Sequence, residues 1–374
     1  MPAAASPSTA RAINDRRALT LLQEHGPQTA GALKTLTGLS RPSVADLLER
    51  LAVAGLVEVV GEVGAERRGP NAKLYGIVAD RAHLAALDVR TDSLTAVVTD
   101  LLGAEIARAA LPVGDAADAV EALRALAREA GAGELHTVGI GAPGLVDPVT
   151  GELRDTSGLP SWHRDLVRLL RERLPAEVVV ENETNLAALA EQRRGAARDL
   201  DSFVFLWLGA GVGAAVILDG RLRRGASGGA GEIGFLPVPG TGRLPSAVDC
   251  DGGFHALVGR DAVTALAAAH GWTGPLDEAL TGAAGEGFLA ELTDRVAIGA
   301  AAVAALLDPG CVVLGGELGR AAGPALAARV QARITTLTPV PLAVRATVLG
   351  DGAVLEGARL AARDTAQNTL FGPG

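Results

Sequence analysis

From residue 83 onward, apolar runs of strand length alternate with amphipathic stretches of helix length. "HLAALDV" and "SLTAVVTDLLG" come first, then "AADAVEALRALAREAG", "HTVGIGAPGLVD", "HRDLVRLLRERL" and "AEVVVEN", and a second series opens at "SFVFLWLGAGVGAAVILDG". The economical solution for that order is two α/β lobes with a cleft between them, lined by residues at the carboxyl ends of the strands. A chain of 374 residues with 48% hydrophobic content can bury the cores of two or three domains. The longest apolar stretch, near Val296 to Leu307, is shorter than the roughly 20 residues a membrane span needs. The N-terminus "MPAAASPSTARAIN" lacks the apolar centre of a signal peptide, so the expected location is the cytoplasm. Cys250 and Cys311 lie far apart and form no CxxC pair, as expected of packed thiols in a reducing compartment.

The first 82 residues differ in charge from the remainder: they hold 10 Lys and Arg against 8 Asp and Glu, while the rest holds 24 against 35. A small basic segment can approach DNA that a large acidic one would avoid. Its first helical pattern, "ARAINDRRALTLLQEHG", stops at Gly26-Pro27, and a short one follows in "AGALKTLTG". In "LSRPSVADLLERLAVAGLV", Ser40 is placed to cap a helix with Pro42 in its first turn, and Val44, Leu47, Leu48 and Leu51 share one face. This order is that of a helix-turn-helix whose second helix would present Ser40, Arg41 and Ser43 to the major groove. "LVEVVGEVGAERRGPNAKLYGIV" then reads as a two-stranded wing, with Arg67 and Arg68 at the tip and Lys73 on the return strand facing phosphates or a narrow minor groove. The alternative is a three-helix protein-binding or dimerisation module with a solvated charged loop.

Five motifs in order, "GIGAPGLVDPVTGEL", "GLPSW", "VENETNLAALAE", "LGAGVGAAVILDGRLRRGASGGAGEIG" and "VVLGGELG", span nearly all of the body. In these the body resembles the ROK family (repressors, open reading frames and sugar kinases), and with the N-terminal module the chain is similar to a ROK transcriptional regulator. The resemblance implies a winged helix-turn-helix followed by an actin-like, sugar-kinase-like body of two lobes, with sugar bound between them. The expected boundaries are a disordered N-terminus at 1–10, the winged helix-turn-helix at 11–82, the first lobe at 83–186 and the second at 187–374. The C-terminal helix is expected to return to the first lobe.

The family's kinases carry a DxGGT turn for ATP phosphates, where this chain has Asp88-Val89-Arg90-Thr91-Asp92. Both glycines are absent, and Asp92 is expected to set a carboxylate against incoming phosphates. The glycines of Gly209 to Gly213 and Gly315 to Gly319 match the family's other nucleotide-side loops, and they also read as tight strand turns. The family's catalytic Asn-Asp pair is Asn182-Glu183 here, with the base carboxylate on a longer stem, and a misplacement of about 1 Å can cost on the order of a hundredfold in rate. The resemblance implies sugar contact at Asn182, Glu183 and Glu232, and at His255 where "GFHALVG" aligns with a family glutamate segment; each also reads as an ordinary satisfied polar group. Zinc is not expected, because "GEIGF" ends in Phe235 and only Cys250 remains of the family's cysteines, though Asp249, Cys250 and His255 form a minor alternative.

The leading expectation is therefore a non-enzymatic DNA-binding regulator of carbohydrate genes, a repressor, with no cofactor and no metal. Its partners would be a DNA operator, a sugar or sugar phosphate effector, and further copies in a homodimer or homotetramer. The alternatives are an active ROK-type sugar kinase with an appended DNA-binding head, and a sugar-binding scaffold whose head contacts protein.

Overall fold

The computed structural model of the chain describes residues 7–64, 71–154, 160–246 and 249–372. It opens with α1 (Pro7–His25), β1 (Gln28–Thr29), α2 (Ala30–Thr37), α3 (Arg41–Val53), β2 (Val57–Val63) and β3 (Ala72–Ile77), the three strands forming one sheet in the order β1-β3-β2. The Thr29 hydroxyl accepts from the Ala32 amide to start α2, and Gly38 ends it in a left-handed conformation at φ 74°. Ser40 caps α3 by accepting from Ser43 N, with Pro42 in the first turn, where no N–H is missed. Helix α1 starts at Pro7, earlier than the boundary at residue 11, because proline at a helix start forfeits no hydrogen bond. Arg67 and Arg68 lie outside the described residues.

The body begins with β4 (His83–Val89), β5 (Leu94–Asp100), β6 (Glu105–Ala110), α4 (Ala116–Glu129), β7 (Leu135–Ala142), α5 (Trp162–Arg173), β8 (Glu177–Asn182) and α6 (Glu183–Arg194). The sheet order is β6-β5-β4-β7-β8, an antiparallel meander on one side of β4 and parallel strands on the other. Next come β9 (Phe203–Leu208), β10 (Val212–Leu218), β11 (Arg221–Arg223), α7 (His255–Val258), α8 (Arg260–Ala269), α9 (Leu276–Glu278), α10 (Gly285–Leu307), β12 (Cys311–Gly315), α11 (Gly316–Ile334), β13 (Ala343–Ala346) and α12 (Ala353–Leu370). Their order, β11-β10-β9-β12-β13, repeats the first sheet strand for strand and sense for sense. The outer strand β6 is partly solvated along its length, which is why "EIARAA" carries no hydrophobic signature in the sequence.

The two repeats exchange their last helices. Helix α6, which ends the first, packs on β9 and β10, and α12, which ends the second, packs on β4 and β7 and against α6. The approach is close: a Cβ on Gly139 would sit 2.3 Å from the Ala358 carbonyl oxygen, and one on Gly357 would sit 2.1 Å from that of Leu186. The first glycine of "GIG" is therefore a seat for α12. Leu186, Ala187, Phe203, Phe205, Val354 and Ala358 form the core between the sheets. Helix α12 continues to the head, where Ala362, Ala366 and Phe371 share a core with Leu19, Leu22, Leu33, Leu47 and Leu51. Arg16 donates to the Gly372 carbonyl at 2.7 Å, and Gln367 donates to Gln23 at 2.8 Å. Head and body thus pack as one unit. None of the helices among the described residues is long and apolar enough to cross a membrane.

Gly139→Ala is expected to destabilise the protein by about 1 to 3 kcal/mol through overpacking, read as a lower urea midpoint with an unchanged slope.

Candidate functional site

The strand-to-helix junction "ENETN" forms one wall of the cleft. Asn182 caps α6, its Oδ1 accepting from Thr184 N at 2.8 Å and Asn185 N at 3.4 Å, while its Nδ2 donates to the Gly144 carbonyl at 3.0 Å. Glu181 is buried beneath, taking Asn185 Nδ2 at 2.8 Å on one oxygen and Arg224 Nε, from beyond β11, at 2.6 Å on the other. That pair ties the first repeat to the second beside the cleft. Above it, Asn182, Glu183, Thr184, Trp207, Gly231 and Glu232 surround a cavity of about 100 Å³. The structure so brings together Asn182, Glu183 and Glu232, and it assigns Asn182 much of its hydrogen bonding as a cap. His255 does not line this cavity; it begins α7, half-buried, with its ring against Gly259.

Across the cleft, the β4–β5 hairpin closes with the Arg90 amide donating to the Ser93 carbonyl at 2.8 Å. Asp92 is exposed on this turn and does not line the space beside Arg90. The side chain turned inward is Arg90, whose Nε and Nη2 donate to the two oxygens of Asp88 at 2.7 and 3.1 Å. Its Nη1 is 3.9 Å from Glu183 Oε2, and its guanidinium carbon lies 5.6 Å from the Trp207 ring centroid, within cation–π range. His163, fully buried and with its pKa lowered by that burial, donates from Nε2 to the Arg90 carbonyl at 3.1 Å and fixes the turn. The space remaining beside Arg90, Gly316, Glu317 and Thr347 is about 40 Å³, room for a water molecule or so.

The electrostatics follow from this crowding. Burial raises Glu183 to a pKa of about 7, with Asp88 and Glu317 pushing the same way and Arg90 opposing them. Burial works against the charge on Arg90, but its bond to Asp88 and the nearby Asp88, Glu183 and Glu317 carboxylates hold its pKa above the ordinary value. Glu232 sits at the cavity mouth with its pKa raised by the surrounding protein. Among the described residues, no group of three or more His, Cys, Asp or Glu is arranged to hold a metal ion.

In the head, Ser40, Arg41 and Ser43 are exposed at the start of α3, with the two serine hydroxyls 2.8 Å apart. Lys73 is exposed on β3 opposite Glu62 of β2. Sequence reasoning missed Arg90, Trp207, His163 and the Glu181–Arg224 pair. An arginine where the motif has glycine was a legible signal for the first; nothing local marks the others.

The ROK family pattern matches residues 84–365. The chain is 26% identical over 236 residues to the DNA-binding transcriptional dual regulator NagC of Escherichia coli, covering 60% of this chain and 57% of that protein. Across its first curated relatives the chain spans between 30% and 59% of their length. In fold it resembles a ROK family transcriptional regulator, a homologue of the E. coli MLC protein, with a TM-score of 0.78 at 20% identity over 97% of this chain and 98% of that one. A ROK glucokinase from Streptomyces griseus, solved with glucose and AMPPNP, matches at 26% identity and a TM-score of 0.60, covering 76% of this chain and all of its own.

Because the folded-state pKa of Glu183 lies above its unfolded value of 4.5, the stability tied to its protonated form is present below that value and is lost as pH rises through about 7. Glu183→Gln is therefore expected to gain stability relative to the parent between pH 5 and pH 8, by on the order of 2 kcal/mol. Urea denaturation at the two pH values reads this directly; parallel profiles would refute it.

Proposed function

Because the chain belongs to the ROK family, we propose that it is a DNA-binding transcriptional regulator, a repressor of carbohydrate genes, whose body senses a sugar or sugar phosphate and does not phosphorylate it. The observation that carries this reading is the core shared by the winged head and α12 of the ligand-cleft body. The head is also the part of the chain that lies beyond the stretch matching the family pattern.

The cleft supports sensing. Glu183 and Glu232 face one cavity, and carboxylates accept from sugar hydroxyls. At about 100 Å³ the cavity is below the roughly 300 Å³ where ligand clefts begin, so admitting a sugar ring requires the repeats to part. Parting moves α6 against α12, and α12 carries the motion into the head core. Only a difference in sugar affinity between the open and closed forms can drive such a change. Two heads held by a homodimer or homotetramer would read the two halves of a pseudopalindrome, with α3 of each presenting Ser40, Arg41 and Ser43, and Lys73 with Arg67 and Arg68 of the wing meeting the backbone.

An active sugar kinase with an appended head is the second reading. One observation favours it: a carboxylate at Glu183 with a pKa of about 7 is well tuned for a general base. Against it, Arg90 stands in the turn where the kinases have glycine, and it is held there by two bonds to Asp88.

Selection from random duplex DNA by the full-length protein, at fixed near-physiological salt, is expected to enrich a two-fold symmetric motif. Arg41→Ala is expected to weaken binding to that motif by about 1 to 3 kcal/mol. A folded protein that enriches nothing, with and without sugars, would count decisively against the regulator.

A further inference from the structure

At the C-terminal end of α6, a cavity of about 320 Å³ opens between β5, β6 and α12, within the size range of small-molecule sites. It shares no lining residue with the sugar cleft, which sits at the other end of α6, about 16 Å away by helix rise. Val97 and Leu355, both buried, supply apolar wall, while three arginines from three elements converge on the space: Arg108 of β6, Arg194 of α6 and Arg359 of α12. Against them stand two carboxylates, Glu105 and Glu356, leaving one positive charge unmatched within a body that is acidic overall.

The surplus lies with the cations, since Arg194 and Arg359 share the one carboxylate of Glu356. Arg108 and Glu105 form a bidentate pair, Nε to Oε1 at 3.0 Å and Nη2 to Oε2 at 2.7 Å, with both side chains more than a third exposed. Glu356 pairs with Arg359 through Oε2. Its Oε1 lies 2.9 Å from Arg194 Nε but accepts no hydrogen bond, and it is shielded from solvent. A carboxylate oxygen so placed has capacity to accept a further donor, and guanidinium groups keep N–H bonds beyond those aimed at one carboxylate.

We propose that this cavity is a second small-molecule site, for a phosphomonoester of a polyhydroxylated compound. The phosphate accepts from Arg108 and Arg194, as planar guanidinium forks favour. A ligand hydroxyl donates to Glu356 Oε1, and the carbon skeleton lies on Val97 and Leu355. Occupancy joins β6, α6 and α12 at a point three residues ahead of Ala362, where α12 enters the head core. The assignment does not rest on the reading of the sugar cleft.

Isothermal titration of the full-length protein with glucose 6-phosphate, glycerol 3-phosphate, glucose and inorganic phosphate tests it. Saturable binding is expected for at least one of the two phosphomonoesters, at least tenfold tighter than for glucose or inorganic phosphate. That binding should survive in the cleft variant Glu183→Gln with Glu232→Gln and weaken at least tenfold in Arg108→Gln with Arg194→Gln. Both arginines are about half exposed, so the fold should persist; the Arg108→Lys, Arg194→Lys variant, which keeps the charge, should fall between. Glu356→Gln should erase the preference for the ester over inorganic phosphate. The proposal is overturned if neither ester binds the parent, if inorganic phosphate binds as well, or if the cleft variant rather than the arginine variant loses the ligand.

Discussion

Helix α12 is the constraint on which the other parts depend. It must lie on β4 and β7 of the first sheet, cross α6 and reach the head, and its contacts with β7 and α6 are set at backbone range by Gly139 and Gly357. Packing this dense is not continuously deformable. A change in the angle between the repeats therefore has to be taken up as a shift of α12, and that shift arrives at the residues beneath α1 and α3. The arrangement places one helix in both the core between the sheets and the core of the head.

The cleft itself is organised around one cation. Asp88, Glu183 and Glu317 are brought close together by the ends of β4, β8 and β12, and such a group of carboxylates is unstable without a positive charge among them. Arg90 provides that charge from within the chain, held by Asp88, by the face of Trp207 and by His163 under its own carbonyl. Where the family's kinases have a glycine turn that leaves space for phosphates, this hairpin places a guanidinium. The neighbouring cavity, by contrast, is lined by the carboxylates of Glu183 and Glu232. One half of a kinase-like cleft is filled and the other is kept.

Much of this was readable in advance. The cap at Ser40, the buried face of α3 and the strands around "ENETN" are local signals, and the structure follows them. The sheet-edge strand β6 was not legible because its residues alternate between solvent and partial burial without an apolar run. In the site, Asn182, Glu183 and Glu232 meet as the motifs implied, while His255 stands apart. In the β4–β5 turn, position alone does not tell which residue the hairpin turns inward, and here it is Arg90, bonded to Asp88. Glu181 with Arg224, and Arg194 with Glu356, join residues far apart in the chain, and the second pair meets because α6 and α12 pack on each other.

The most direct measurement is a calorimetric titration of magnesium AMPPNP into the full-length protein, with and without candidate sugars, beside Arg90→Gly. If Arg90 closes the phosphate side, the parent shows no saturable nucleotide binding at millimolar concentration, and any binding that emerges does so in the glycine variant. Tight, sugar-enhanced nucleotide binding by the parent would contradict the account and return the chain to the kinases.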